Sequence, residues 1–415
     1  LKSKTVVKKT TLPSGVRILS ESISTVRSIA VGIWVNSGSR DDPEGKSGIS
    51  HFVEHAVFKG TKKRRMHQIA NRMESVGGYL NAFTSKEHTC YFTRALDSYL
   101  DRGVDSLCDL VVSPIFPERE IEKEKSVVLE EIKMYDDTPE EYIIDQFESM
   151  IYPSQSIGRP IVGYPDSVSH LRREDLLDYV STQYIPSQIV VAASGNLRHE
   201  KLVKSVSKAL KDLRTTSAHI SKQIKPTFSD STEIILRRPI QQAHLILGRD
   251  AISIHSKDRP IIQLMNIILG GGSSSRLNQK IRERYGFCYH IGSFLNLYSD
   301  CGDFGIYLGI DHTKINHVLR LIFREFDRLV QRPVSSQALS RAKGQARGAL
   351  ALGLESMSNR MTRLGKEEIY FGNVISVDEI IEELESVTPE DIQLFASQFL
   401  VPDVFSRVML VPAST

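Results

Sequence analysis

At 415 residues the chain is too long for one ordinary core, and two domains of about 200 residues each are expected. With 40% hydrophobic and 25% charged residues it reads as a soluble globular protein, and a net charge of +3 excludes a nucleic-acid footprint. The longest apolar run, Ile261 to Leu269, is broken by Gln263 and Asn266, so no membrane span is expected.

Thr5 to Lys9 and Val16 to Glu21 read as strands around the Pro13-Ser14-Gly15 turn. Ser28 to Val35 alternates, is rich in Ile, Val and Trp, and reads as a buried strand. A loop from Ser37 through Gly45 leads to His51-Phe-Val-Glu54-His55. Apolar residues at Ile49, Phe52, Val53, Ala56 and Val57 give that segment a helical period, with Ser47-Gly48 before it and Lys59-Gly60 as its last turn and stop. On a helix the two imidazoles share one face and can reach one ion, with Glu54 beside it. The order H-x-x-E-H reverses the commoner zinc motif and supplies two ligands and a base for a bound water.

The basic run Lys62-Lys63-Arg64-Arg65 reads as a solvated loop or helix start. Met66 to Val76 is a helix stopped by Gly77-Gly78. Tyr79 to Thr84, short and half polar, reads as an edge strand whose free backbone groups can pair with an extended peptide; an edge blunted by a loop is the competing reading. His88 to Ala95 is a further strand, and His88 reads as structural rather than as a ligand. Leu96 to Val112 is helical. Pro117 opens a long acidic helix to Tyr135 with an apolar stripe of Ile121, Val128, Ile132 and Tyr135. Glu124 and Glu131 fall on that stripe, where a carboxylate is costly unless paired or on a metal. Glu130 points about 100° away and can be solvated. Glu131 is therefore the expected third ligand, and Glu124 either supports the site or is an alternative ligand. Helices from Pro139 to Tyr152 and from Ser167 to Tyr184, a buried strand from Gln188 to Gly195 and a helix from His199 to Leu213 complete the half.

The polar stretch 215–231 reads as a linker between an N-terminal zinc-binding domain (1–214) and a second domain (232–415). The second half repeats the plan of the first. Strands at Thr232 to Arg237 and Ala243 to Gly248 precede a helix from Asp258 to Leu269, then Gly270-Gly271-Gly272, a helix from Arg276 to Tyr285, and strands at Phe287 to Leu297 and Gly305 to Gly309. Long helices follow to about Phe371, and Pro389 to Phe399 with its following strand echoes Arg173 to Tyr184 with its own. This describes a duplicated α+β unit in which only one half carries the metal motif. The glycine run lacks a following Gly-Lys-Ser/Thr and reads as a hinge or a close backbone approach, not a phosphate loop.

Cys90, Cys108, Cys288 and Cys301 form no C-x-x-C pair and read as scattered reduced thiols of a cytoplasmic compartment. The chain begins at Leu1 rather than Met, so a processed organellar or periplasmic form stays open beside it.

His51-x-x-Glu54-His55 with the distant pair Glu124 and Glu131 resembles the pitrilysin/insulinase family of inverted-motif zinc peptidases. The length and two-domain plan are similar to its bacterial processing-peptidase-like members, relatives of the mitochondrial processing peptidase β subunit. Val128 to Tyr135 and Asn81 to Thr84 also resemble family segments, and the likeness covers essentially the whole chain. It implies two homologous α+β domains, each a mostly antiparallel sheet flanked by helices. It implies one Zn²⁺ on His51, His55 and Glu131, Glu54 as general base and Glu124 as support. Asn81, Ala82 and Phe83 would lie along the strand that takes the peptide backbone. Arg282 and Tyr289 match an Arg and Tyr that family members use from the second half, and would act across a homodimer or a heterodimer with a homologous subunit. A closed chamber that admits short or unfolded peptides is implied as well.

The expected chemistry is hydrolysis of internal peptide bonds, with Arg282 and Tyr289 steadying the developing oxyanion or the substrate chain. The competing class is a structural or assembly subunit of the same fold; a zinc hydrolase of small molecules is a third.

Overall fold

The computed structural model describes residues 6–213, 226–228 and 231–413; most of the expected linker 215–231 lies outside them. The fold is α+β, with two sheets. The first sheet contains β1 (Val7–Thr11), β2 (Arg17–Ser22), β3 (Ser28–Val35), β4 (Tyr79–Thr84), β5 (Thr89–Leu96) and β6 (Ile189–Gly195), in the order β1-β2-β6-β3-β5-β4. The second contains β7 (Glu233–Arg238), β8 (Ala243–Ala251), β9 (Cys288–Leu297), β10 (Gly302–Ile310) and β11 (Ser406–Pro412), in the order β7-β11-β8-β10-β9.

The strand pairings repeat between the sheets. β2 and β6 are parallel, as are β7 and β11. The remaining pairs, β1-β2 and β6-β3-β5-β4 in one and β11-β8-β10-β9 in the other, are antiparallel. The duplication read in the sequence is thus present in five strands of each sheet, with β1 the extra strand of the first, and β9 occupies in the second sheet the edge place that β4 has in the first.

β3 and β6 are buried along almost their whole length, so both faces of the sheet are covered. Residues along a strand alternate between faces. Thr93 meets the helix Leu100–Val112 on one face, where a Cβ on Gly103 would lie 2.9 Å from its methyl. Trp34, on the other face, packs against the helix Met357–Phe371 from far along the chain. Its indole Nε1 lies 3.4 Å from the Met361 sulfur. Glu368 of that helix, its side chain fully buried, is paired with Lys9 at 2.8 Å and Arg17 at 3.4 Å.

The second sheet is arranged in the same way. Phe147 of the helix Pro139–Ile151 packs with Ile246, Val408 and Leu410 on one face, while Leu245, Leu247 and Met409 face a separate core on the other. The two compact units therefore differ from a single cut in the sequence. One is formed by the described residues within Leu1–Lys133, Arg159–Gln223 and Leu352–Val374, the other by those within Met134–Gly158, Ile224–Ala351 and Ile375–Thr415. Each half contributes a helix to the other's sheet, because a central sheet with two apolar faces needs covering on both.

Two local readings are revised and a third is narrowed. Arg64 is not solvated: it is paired with Asp105 and Asp109, its side chain mostly buried. The helix expected over Arg276 to Tyr285 is a π-helix over Asn278–Glu283, with Leu277 and Ile281 both buried. Of the two readings of the glycine run, the close approach holds at Gly270, where a Cβ would lie 2.4 Å from the Ser293 hydroxyl on β9. All four cysteines are free and buried. Among the described residues no helix is long and apolar enough to cross a membrane.

Candidate metal centre

The helix α1 (Ile49–Ala56) carries the motif. Ile49, Phe52, Val53 and Ala56 are buried on one side of it, which leaves His51, Glu54 and His55 together on the other. Its start is fixed in two ways. Gly48 has φ +90°, and a Cβ there would lie 2.6 Å from the Val162 carbonyl oxygen, so glycine is required. The buried Asp42 carboxylate accepts hydrogen bonds from the N–H groups of Gly48 (2.6 Å) and Ser50 (3.1 Å). These are donors that a first helical turn leaves free. Burial pushes the Asp42 carboxyl up to about 7 against those donors.

The imidazoles of His51 and His55 are 4.6 Å apart between centroids. A second long helix, α2 (Glu118–Asp137), brings Glu131 opposite them. His51 Nε2 lies 3.8 Å from Glu131 Oε1, and His55 Nε2 lies 3.7 Å from Glu131 Oε2. Neither separation is a hydrogen bond. The three residues offer one donor atom each within 4.8 Å of the others, and this is the one such group of three among the described residues. Tetrahedral zinc, with bonds of about 2.0–2.2 Å, holds its ligand atoms roughly 3.4 Å apart. Two imidazole nitrogens and a carboxylate converging on a gap of that size fit the ion.

Glu124, one of the four inward positions on α2 with Ile121, Val128 and Ile132, stands behind His55. Its Oε1 is 2.9 Å from His55 Nδ1 and its Oε2 is 2.6 Å from Lys59 Nζ. Of the two roles left open for Glu124, this geometry is that of the supporting carboxylate. Glu54 Oε2 accepts a hydrogen bond from the Thr84 hydroxyl at 2.8 Å, at the end of β4.

The electrostatics separate the two imidazoles. Burial lowers the pKa of His51 to about 3, assisted by His55, so its ring is neutral as a ligand must be. Burial acts on His55 in the same direction, but the bond to Glu124 and the charges of Glu54, Glu131 and Glu124 outweigh it and raise the pKa. Burial opposes ionisation of Glu124, yet its bonds to His55 and Lys59 prevail and lower it. Burial raises Glu54 despite the Thr84 bond, moving it towards the range useful to a base that must also return its proton.

β4 is the outer strand of its sheet, paired with β5 alone among the described residues. Asn81 on it is exposed, Ala82 buried and Phe83 half-buried. Arg282 and Tyr289 lie in the second unit, Arg282 on the π-helix and Tyr289 on β9. They are brought together with each other: the guanidinium carbon is 5.6 Å from the ring centroid, and Tyr289 is 86% exposed. Three neighbours of the motif escaped the sequence reading. Asp42 and Thr84 carry no local signal. Lys59 does: it follows His55 at helical spacing and so returns to the same face.

Fold and site together are those of a duplicated α+β protein with a candidate metal centre in its first half. Two family descriptions match the chain, "Insulinase (Peptidase family M16)" over residues 17–164 and "Peptidase M16 inactive domain" over residues 170–346. An uncharacterized zinc protease of Streptomyces coelicolor is 36% identical over 401 residues, covering 95% of this chain and 87% of its own. Another, YmxG of Bacillus subtilis, is 35% identical over 409 residues, covering 98% and 99%. The crystal structure of a protease from Helicobacter pylori shares the fold at a TM-score of 0.93 and 20% identity, over 98% of this chain and all of that one. The chain belongs to the M16 (insulinase/pitrilysin) peptidase family.

Proposed function

We propose that this chain is a zinc metalloendopeptidase that hydrolyses internal bonds of short or unfolded peptides. The observation that carries the reading is the gap enclosed by His51, His55 and Glu131, with the Glu54 carboxylate on the same helix face. Relatives named zinc proteases at 35–36% identity support it.

His51, His55 and Glu131 would hold the ion. Zinc bound there would supply polarisation of the scissile carbonyl and a lowered pKa for water. Glu54 takes the proton of the attacking water and passes it to the leaving amine. Thr84 aims the Glu54 carboxylate from the end of β4. The free edge of β4 at Asn81, Ala82 and Phe83 pairs with the substrate backbone, which makes affinity tolerant of sequence. Arg282 and Tyr289 act on the substrate or the oxyanion across a dimer, within a closed chamber, in the cytoplasm.

The test is incubation of the full chain with a mixture of unstructured peptides, with and without a zinc chelator, reading product ends by mass spectrometry. New internal ends that vanish with chelator and return with zinc are expected. Purified protein with no stoichiometric zinc and no cleavage would leave a structural subunit as the answer.

A further inference from the structure

The turn that follows α1, Val57–Lys59, is a 3-10 helix that brings Lys59 beneath His55. One carboxylate joins the two: Glu124 is 2.9 Å from His55 Nδ1 through one oxygen and 2.6 Å from Lys59 Nζ through the other. The Glu124 side chain is 6% exposed, so water has little access to replace either partner. We infer that Lys59 is a positioning residue of the metal centre, one that fixes Glu124 so that His55 presents its bare Nε2 to the ion; this rests on the zinc reading above.

The argument is one of tautomers and rotamers. A neutral imidazole carries its proton on either nitrogen, and only the bare nitrogen can ligate. A carboxylate oxygen at Nδ1 selects the form with the proton on Nδ1 and the lone pair on Nε2. In His55 that is the nitrogen facing Glu131. The selection holds only while Glu124 keeps its orientation. A buried carboxylate with one oxygen unsatisfied would turn or take up a proton. Lys59 supplies the missing donor and the counter-charge. Groups behind metal ligands fix ring orientation in this way, and their loss costs about 10–100-fold in metal affinity.

Lys59 also carries positive charge near the ion, and this effect has the opposite sign. Acting as a charge alone, Lys59 would repel zinc, and its removal would tighten binding. Acting through Glu124, its removal must weaken binding. The measurement is the zinc dissociation constant of the full chain by competition with a chromophoric chelator, with the Co²⁺ absorption bands as a second readout. Lys59→Met should bind zinc roughly tenfold more weakly and shift the Co²⁺ bands, and Lys59→Arg should recover most of the loss. In a Glu124→Gln background Lys59→Met should cost nothing further. Melting curves check folding, and Lys59→Gln replaces Lys59→Met if the latter does not fold. Unchanged or tighter binding in the folded variant, or the same loss with Glu124 already altered, would overturn the inference. Wild-type protein that holds no zinc sinks the peptidase reading itself; equal binding with and without Lys59 sinks this inference alone.

Discussion

His88 offers a quantitative test of how burial sets charge beside the site. It stands between β4 and β5 and is 3% exposed. The rings of Trp34 at 5.2 Å and of Phe83 and Tyr370 at 6.2 Å surround it. Neither of its ring nitrogens has a hydrogen-bond partner among the described residues. Burial, with the charge of Lys366 adding to it, lowers its pKa from 6.5 to about 3. Below pH 6.5 the unfolded chain takes up a proton that the folded chain refuses, so stability falls as pH drops from 6.5 towards 3. At pH 4.5 about two units of that window have been crossed, which costs about 2.7 kcal/mol. His88→Phe keeps a ring among rings and gives up no hydrogen bond. Its stability advantage over wild type should be greater at pH 4.5 than at pH 7 by about 2.7 kcal/mol. Trp34 is the single tryptophan of the chain, so its fluorescence in urea, with chelator present, reports on this unit. His51 and the carboxylates titrate in both proteins and cancel in the comparison. An equal acid loss in the two proteins would refute the burial argument.

Glu54→Gln should retain zinc and lose peptide cleavage by at least about 10²-fold; turnover near wild type would refute the base assignment. Thr84→Val keeps the shape of the side chain and removes the donor to Glu54, so kcat should fall about tenfold with zinc content unchanged. An unaltered kcat would show that Glu54 needs no such support. Gly365→Ala tests the exchanged helix: its Cβ would lie 2.3 Å from the buried Trp34 indole nitrogen. Despite the better helix propensity of alanine, a loss of about 1–3 kcal/mol in urea unfolding is expected, and no loss would argue against that packing.

Much of this was legible from period and spacing. β3 and β4 lie at the bounds read for them, Ser28–Val35 and Tyr79–Thr84, and Glu124 and Glu131 stood out because acids on an apolar stripe need a reason. The exchange of helices was not legible. Met357–Phe371 has an ordinary amphipathic pattern, and nothing in such a pattern says which sheet it will cover. The clue lay in single residues: Gly365 and Gly32 leave room for Trp34 and Met361, and Glu368 awaits Lys9 and Arg17. The π-helix before β9 was hidden for a related reason, since its register depends on which side chains tertiary packing buries.

The polar face of α1 is held from outside, one group at a time and by different elements. Asp42 fixes the start of the helix from the preceding loop. Thr84 fixes Glu54 from the edge strand, and Glu124 with Lys59 fixes His55 from behind. His51 differs: its buried Nδ1 has no hydrogen-bond partner among the described residues, and packing alone sets its ring. The two imidazoles are therefore held unequally. Carboxylates around His55 raise its pKa against burial, while His51 is kept dry and neutral. Because Thr84 belongs to the strand whose free edge would take the peptide, substrate pairing along β4 and the aim of the base are mechanically joined. Under the proposed mechanism a peptide that shifted β4 would also shift the Glu54 carboxylate, so changes at Thr84 should appear in kcat before they appear in zinc content.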